Sequence, residues 1–121
     1  MPFIFKKYYN IIGDYIIMAN FITLANNDKE YTLKLTARSC IALENSLGKN
    51  PISVFTGLQG NDLPKISDIV AIIHGAIQEK HTLNETYDLV DKYLEDHDMT
   101  DLISLVLDIF KASGFIKNAK N

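Results

Sequence analysis

Three histidines and a single cysteine are the side chains of this sequence that could bind a metal or act as a base or nucleophile. His74, His81 and His97 lie on separate segments, without the paired spacing that zinc sites and catalytic pairs use. We therefore expect them to be ordinary surface or boundary residues. Cys40 has no second cysteine with which to form a disulfide or a multi-cysteine zinc site, so we expect an inert, buried thiol.

The acidic run at residues 95–101 begins like a calcium-binding loop, with carboxylates at Asp96 and Asp98. Such a loop needs glycine at its sixth position and glutamate at its twelfth, where this chain has Asp101 and Leu107. We interpret the carboxylates as partners of a helix dipole at the start of a helix. Phosphate-binding loops, dinucleotide-binding glycine patterns and hydrolase motifs are also missing from the sequence. The sequence therefore predicts no enzyme, no metal and no cofactor.

The composition is that of a globular protein with a single core. A chain of 121 residues is long enough for one modest core and too short for two independent domains. With 47% hydrophobic and 22% charged residues, it lies outside the range of disordered chains. The formal net charge of -3 argues against binding to a phosphate backbone, which depends on clustered lysine and arginine. We therefore expect no nucleic-acid partner.

A change of sequence periodicity marks the junction of a strand and a helix. Apolar and polar side chains alternate over residues 31–35, and apolar side chains then recur every three or four positions over residues 37–47. Thr36 has the hydroxyl of a helix N-cap, Gly48 suits the left-handed position after the helix, and Pro51 suits the first turn of another helix. We expect these three residues to delimit the helix.

Glu44 stands inside the apolar arc of this helix. A carboxylate in that position costs several kcal/mol if it is buried without a partner. We expect Glu44 to cap the free backbone N–H groups of the helix that begins near Pro51, or to pair with Arg38 or a lysine.

The remaining pattern predicts a hairpin before this helix and further helices after it. Alternation over residues 21–25, then turn-forming residues at 26–28, predicts antiparallel pairing with the strand at 31–35. Further helices are predicted near Pro51, over 66–77, after Thr82 and over 102–112. We therefore predict a mainly helical α+β domain, in which an N-terminal β-hairpin is followed by four or five short helices.

Residues 1–17 are too short and too polar for a membrane span, and they lack the cleavage site of a targeting segment. One hypothesis is that they are a translated leader and that Met18 is the true start, since the codons just upstream could contain a purine-rich ribosome-binding element. The alternative is an extra strand or helix that packs on the core. The domain itself is predicted at residues 18–116, with a frayed tail at 117–121.

A hairpin that leads into a helix containing Leu43 and Glu44, then Leu47 and Gly48, followed by Pro51, resembles the tail assembly chaperones of long-tailed bacteriophages and gene transfer agents. The resemblance extends over nearly the whole globular part. It implies a non-catalytic protein that binds and shields the helical tape measure protein before the tail tube polymerises around it. It also implies a role in viral morphogenesis in the host cytoplasm, absence from the mature virion, and the tail tube protein as a candidate second partner.

The final predicted helix is apolar over half of its circumference or more, which is wider than the ~100° stripe that a surface helix buries. Ile103, Leu107 and Phe110 cluster at one edge of this arc, and we predict that they form an exposed ridge or groove for an amphipathic partner helix. Three further residues could extend this surface: Phe55, Leu58 and Phe115. The alternative is that the core encloses the helix completely.

Acidic residues are concentrated between residues 85 and 101, where Lys92 is the single lysine. A solvated helix face is one interpretation of this charge. The other is that it attracts a basic partner helix and raises the rate of association.

Two other classes of function remain open at this point. The surplus apolar face could make permanent contacts in a homo-oligomer, as in a self-assembling virion component such as a tail connector or completion protein. A small enzyme with an unrecognised site would instead need a concave polar pocket with perturbed titratable groups.

Overall fold

The computed structural model describes residues 11–12, 15–26, 29–60 and 63–116, without the side chains of residues 11, 12, 26 and 56–60. Within these residues a small antiparallel sheet precedes four α-helices and one 3₁₀ helix, which confirms the predicted α+β class. The strands, which neighbour each other in this order in the sheet, are β1 (Ile11–Ile12), β2 (Tyr15–Ile17), β3 (Ile22–Asn26) and β4 (Lys29–Leu33). The helices are α1 (Ala37–Leu47), the 3₁₀ helix (Pro51–Gly60), α2 (Ile66–Ala76), α3 (Leu83–Asp96) and α4 (Met99–Ala112). The predicted frayed tail at 117–121 lies outside the described residues.

The predicted hairpin is the pair β3 and β4. Ile22 lies opposite Leu33 and Leu24 lies opposite Tyr31, and all four of these side chains are buried. This register places every second side chain of both strands on one face of the sheet, against the helices. The strand pairing that the alternating pattern predicted is therefore confirmed, while the turn at residues 27–28 lies outside the described residues.

A further strand, β2, extends the sheet on the other side of β3. Tyr15 lies opposite Leu24, is almost completely buried, and its hydroxyl donates a hydrogen bond of 2.7 Å to Asp108 Oδ2 on α4. Burial, and then the hydrogen bond to this carboxylate, raise the pKa of Tyr15, so the phenol stays protonated as a donor. Residues 15–17 thus form the extra strand of the second hypothesis for the N-terminal segment. Residues 1–10, 13 and 14 lie outside the described residues, and the use of Met18 as a start stays a prediction.

Local hydrogen bonds delimit α1 as predicted. The Thr36 hydroxyl accepts from the Ser39 backbone N–H at 3.1 Å, and the Thr36 backbone N–H donates to Ser39 Oγ at 2.7 Å. Gly48 follows the helix with φ of 74°, and its N–H donates to the Glu44 carbonyl at 2.8 Å. Only glycine adopts this left-handed conformation without strain, so the chain leaves the helix at this point.

Glu44 does not have the role that the sequence predicted. Its side chain is exposed, because α1 buries a narrow stripe, of which Leu43 is the one fully buried residue, and leaves the arc around Glu44 in water. The helix that begins at Pro51 is capped instead by Asn50, whose Oδ1 accepts from the Ile52 N–H at 3.0 Å. The cap prediction for Glu44 is therefore wrong, and Asn50 is the residue that the pattern should have selected.

The end of α2 is joined to β4, and this junction holds the helices on the sheet. Lys34 N–H donates to the Ala76 carbonyl and Gln78 N–H donates to the Thr32 carbonyl, both at 2.9 Å. Ile77, directly after the helix, forms an isolated bridge with Leu33. The helix predicted over 66–77 is confirmed as α2, and five of its side chains are buried: Ile69, Val70, Ile72, Ile73 and Ala76.

Candidate partner-binding groove

The surface that the sequence predicted on α4 is not exposed. Phe110 is completely buried, Ile103 is 6% exposed, and Phe55 is also buried. Leu107 is partly buried against the core, whereas Phe115 is exposed beyond the end of α4. The side chain of Leu58 lies outside the described residues. The predicted ridge of Ile103, Leu107 and Phe110 is therefore wrong as a surface for a partner.

The reason is that α4 has neighbours around most of its circumference. It contacts α2, α3 and β3, and the ring of Phe55 packs edge-on against Phe110 with centroids 6.0 Å apart. These contacts bury six side chains of the wide apolar arc and cover Leu107 in part, which corresponds to the enclosed alternative that the sequence left open. The apolar surface that remains lies elsewhere in the molecule.

An open groove of about 430 Å³ lies between α1, α2 and α3. On its α1 side the small residues Ser39, Ala42 and Ser46 recur on one face of that helix, and the buried Leu43 lies deeper, against the floor. Its α3 side is formed by Leu83 and Tyr87. The two sides therefore differ in size, with small side chains on α1 and large side chains on α3.

The floor of the groove is α2, where Gly75 brings two helices close together. A methyl group added at Gly75 would lie 3.2 Å from Leu43 Cγ on α1, so the absence of a side chain permits this approach. Val70 and Ala71 continue the floor. An apolar floor between one wall of small side chains and one wall of large side chains is a shape into which another element can pack.

Leu83 and Tyr87 are the most informative residues of the groove, because they are large, apolar and 44% and 47% exposed. They lie four residues apart, so they occupy the same face of α3. Burying a large apolar side chain contributes roughly 1.5–3 kcal/mol, so leaving two of them in water beside a groove favours a surface that a partner covers. Among the described residues, four other large exposed side chains lie outside the lining: Ile41, Leu63, Ile66 and Phe115.

Two histidines meet at one end of the groove, although the sequence placed them on separate segments. His81 Nε2 lies 2.9 Å from His74 Nδ1, which also lies 3.1 Å from the Thr86 hydroxyl of α3. The rings are edge-on, with centroids 4.5 Å apart. Burial, and then the charge of His81, lower the pKa of His74, so the neutral ring is favoured there. The pair joins the end of α2 to the start of α3.

The third histidine is far from this pair. His97 follows the last residue of α3, which is about 20 Å long, and its ring stacks on Tyr93 with centroids 4.1 Å apart. Within the described residues, no group of three or more histidine, cysteine, aspartate or glutamate side chains could hold a metal ion. Burial, and then Glu44, raise the pKa of the Cys40 thiol, which disfavours the reactive thiolate.

Comparisons with known proteins place the chain in a family. A model described as a family of unknown function, DUF6096, matches residues 17–121. The chain belongs to this family. In this DUF6096 protein the matched region contains β3, β4, all of the helices and every residue that lines the groove. No curated protein and no solved structure matches the chain.

One further property of this DUF6096 protein concerns membranes. Among the helices of the described residues, none combines the length and the apolar character that crossing a bilayer requires.

Proposed function

We propose that this DUF6096 protein is a non-catalytic phage tail assembly chaperone that binds an amphipathic helix of the tape measure protein in the groove between α1, α2 and α3. The observation that carries the proposal is the groove itself, with Leu83 and Tyr87 left exposed on its wall. An amphipathic helix covers such a surface by laying its apolar face into the groove.

The dimensions of the groove suit a short length of helix. The lining residues of α1 run from Ser39 to Ser46, about 10 Å along the helix, and those of α2 run from Ser67 to Gly75, about 12 Å. This corresponds to about two turns of a partner helix. One such contact is weak, but many copies along a long helical protein shield it through avidity and still leave one at a time.

The resemblance to tail assembly chaperones supports the choice of partner. The elements that carry it are the hairpin of β3 and β4 and the capped helix α1, with Thr36 at its start and Gly48 at its end. By this resemblance the protein acts in the host cytoplasm, tail tube subunits displace it from the tape measure protein, and it is absent from the mature virion. The polar side chains of the groove, such as Ser39 and His74, have no arrangement that suggests a reaction.

Coexpression with the tape measure protein of the same genome tests this proposal. We expect the wild-type chain to keep the tape measure protein in the soluble fraction and to copurify with it. Ala42→Glu and Tyr87→Ser should each abolish this effect, because one puts a charge on the small wall and the other removes the large wall. The matched control is Phe115→Ser, which changes an exposed aromatic residue outside the groove and should retain the effect.

Two outcomes would contradict the proposal. If the groove variants keep the tape measure protein soluble while Phe115→Ser does not, the groove is not the binding site. If the protein is found in purified particles and forms a closed ring without the tape measure protein, the groove serves contacts between copies, as in a connector or completion protein.

A further inference from the structure

We infer that the groove selects a helix that is basic along the edge facing α3 and that points bulky apolar side chains toward α1. This inference rests on the groove of the proposed function and adds the chemistry of its occupant. It follows from two asymmetries of the groove, one of charge and one of size.

The charge asymmetry begins on α3. Leu83 and Tyr87 line the groove, and Asp91 follows at the same interval of four residues, so its exposed carboxylate lies next to the apolar wall on α3. Asp88, one residue after Tyr87, lies about 100° further around the helix, so its exposed carboxylate adds negative charge on the solvent side of this rim. Among the described residues, no lysine, arginine or histidine forms an ion pair with Asp88 or Asp91. The rim of the groove on α3 is therefore negative and uncompensated.

Two other acidic residues of α3 are already paired with lysines. Glu85, on the flank nearer the sheet, lies 3.4 Å from Lys29 Nζ, and Glu95 lies 3.4 Å from Lys92 Nζ. Asp96 is exposed and in none of these ion pairs, but it faces the opposite side of α3 from Tyr87, away from the groove. Asp88 and Asp91 therefore differ from Glu85 and Glu95 in having no ion-pair partner among the described residues.

The opposite rim, on α1, has no such charge. Arg38 lies four residues before Ala42 and so continues the small wall with a cation, and Asn45 is neutral. Lys49, just after the helix, pairs with Asp68 at 3.1 Å. A helix in the groove therefore meets carboxylates on its α3 side and neutral or basic groups on its α1 side, which favours basic residues facing α3.

The size asymmetry sets the apolar face of the occupant. The α1 side presents Ser39, Ala42 and Ser46, which leave room, while Leu83 and Tyr87 already fill the α3 side. Dense packing requires large side chains opposite small ones. The occupant therefore carries large aliphatic or aromatic residues at helical spacing on the face directed at α1 and α2.

Two synthetic helical peptides with the same leucine-rich apolar face test the charge inference. One carries lysine along one edge of that face, and the other carries glutamate at the same positions. In low salt we expect the lysine peptide to bind the wild-type chain roughly three- to tenfold more tightly by fluorescence anisotropy, as for exposed ion pairs at an interface. In about 1 M salt, where screening acts over about 3 Å, the difference should disappear.

Variants of the chain assign that preference to the groove rim. Asp88→Asn combined with Asp91→Asn should reduce the preference by at least half, because the peptide charge then has no facing carboxylate. The matched control is Glu44→Gln combined with Asp96→Asn, which removes two exposed carboxylates that lie away from the groove. Asp96 lies nine positions, or two and a half turns, after Tyr87 and so faces the opposite side of α3. This control should keep the preference.

The outcomes distinguish this inference from the proposed function. Equal affinities of the two peptides for the wild-type chain, or an unchanged preference in the Asp88 and Asp91 double variant, would overturn the charge selection. Solubilisation of the tape measure protein by the same double variant would then still support the chaperone function. A retained lysine preference together with failure to bind the tape measure protein would support the charge selection and overturn the choice of partner. In each case Tyr87→Ser should weaken both peptides, which reports binding in the groove.

Discussion

Helices α1 and α4 both have apolar faces, but only one of them is enclosed. In α4 six side chains are buried, whereas α1 buries only Leu43 completely and leaves Ile41 58% exposed. The difference follows from their neighbours: α4 contacts α2, α3 and β3, while the contacts of α1 are chiefly with α2 and the 3₁₀ helix. The more apolar helix is therefore not the one with more exposed apolar surface, because a wide apolar face allows a helix to pack against several elements of the core.

The same comparison accounts for the groove. The residues that α1 turns toward α3 are small, such as Ser39 and Ala42, and they do not reach across to Leu83 and Tyr87. Large residues in their place would close the space between the helices. The open groove thus results from missing side-chain volume on a modestly apolar helix, and three measurements test the contrast between α1 and α4.

The largest effect is expected in the enclosed helix. Phe110→Ala removes a completely buried ring and its edge-on contact with Phe55, so it should lower the free energy of unfolding by about 3–5 kcal/mol. The matched control, Phe115→Ala, should cost less than about 1 kcal/mol because that ring is exposed. Urea denaturation measures both values. Similar values for the two variants would remove the contrast between enclosed and open regions.

A smaller, local effect is expected in the open helix. Thr36→Ala removes the hydroxyl that accepts from the Ser39 N–H and should cost about 1 kcal/mol. Because α1 has few buried side chains, we expect amide exchange to accelerate over residues 37–47 while α4 keeps its protection. The matched control is Asp98→Ala, which removes the corresponding cap of α4. If Asp98→Ala accelerated amide exchange in α4 as much as Thr36→Ala accelerates it in α1, α4 would not be the more enclosed helix.

The smallest effect concerns the pH dependence of the histidine pair at the end of the groove. Burial and His81 lower the pKa of His74 from its usual 6.5, so the folded chain binds fewer protons at this site than the unfolded chain. Stability from this group is therefore complete above about pH 6.5 and is lost as the pH falls through the lowered folded pKa. We expect thermal unfolding of the wild-type chain to shift downward in this window.

His74→Gln is the control for that measurement, since it keeps a polar side chain and removes the titration. Its melting temperature should change less than that of the wild type between neutral pH and the lowered pKa. Glu85, whose pKa is lowered chiefly by the backbone hydrogen bond at Thr82, loses its contribution only below its usual 4.5 and so acts in a separate window. An identical profile for the wild type and His74→Gln would show that the histidine pair does not couple to folding.

Short-range features of the fold were predictable from residue types. The caps at Thr36, Thr82 and Asp98 each bond with a group three residues away, and the hairpin register follows from alternating side chains. Such interactions depend on a few consecutive residues, so a pattern specifies them. The wrong assignment to Glu44 shows the limit of this reasoning, because its cost depended on whether that side of α1 is covered.

The candidate site was decided by contacts between distant parts of the chain. Tyr15 meets Asp108 across 93 positions, and His74 meets His81 only because the chain turns back after α2. Whether an apolar side chain of a helix is buried or exposed depends on which other elements pack around that helix. A sequence pattern describes each helix separately and does not show these neighbours. The pattern therefore specified the hairpin, the helices and several of their caps, whereas packing in three dimensions buried Phe110 and left Tyr87 beside an open groove.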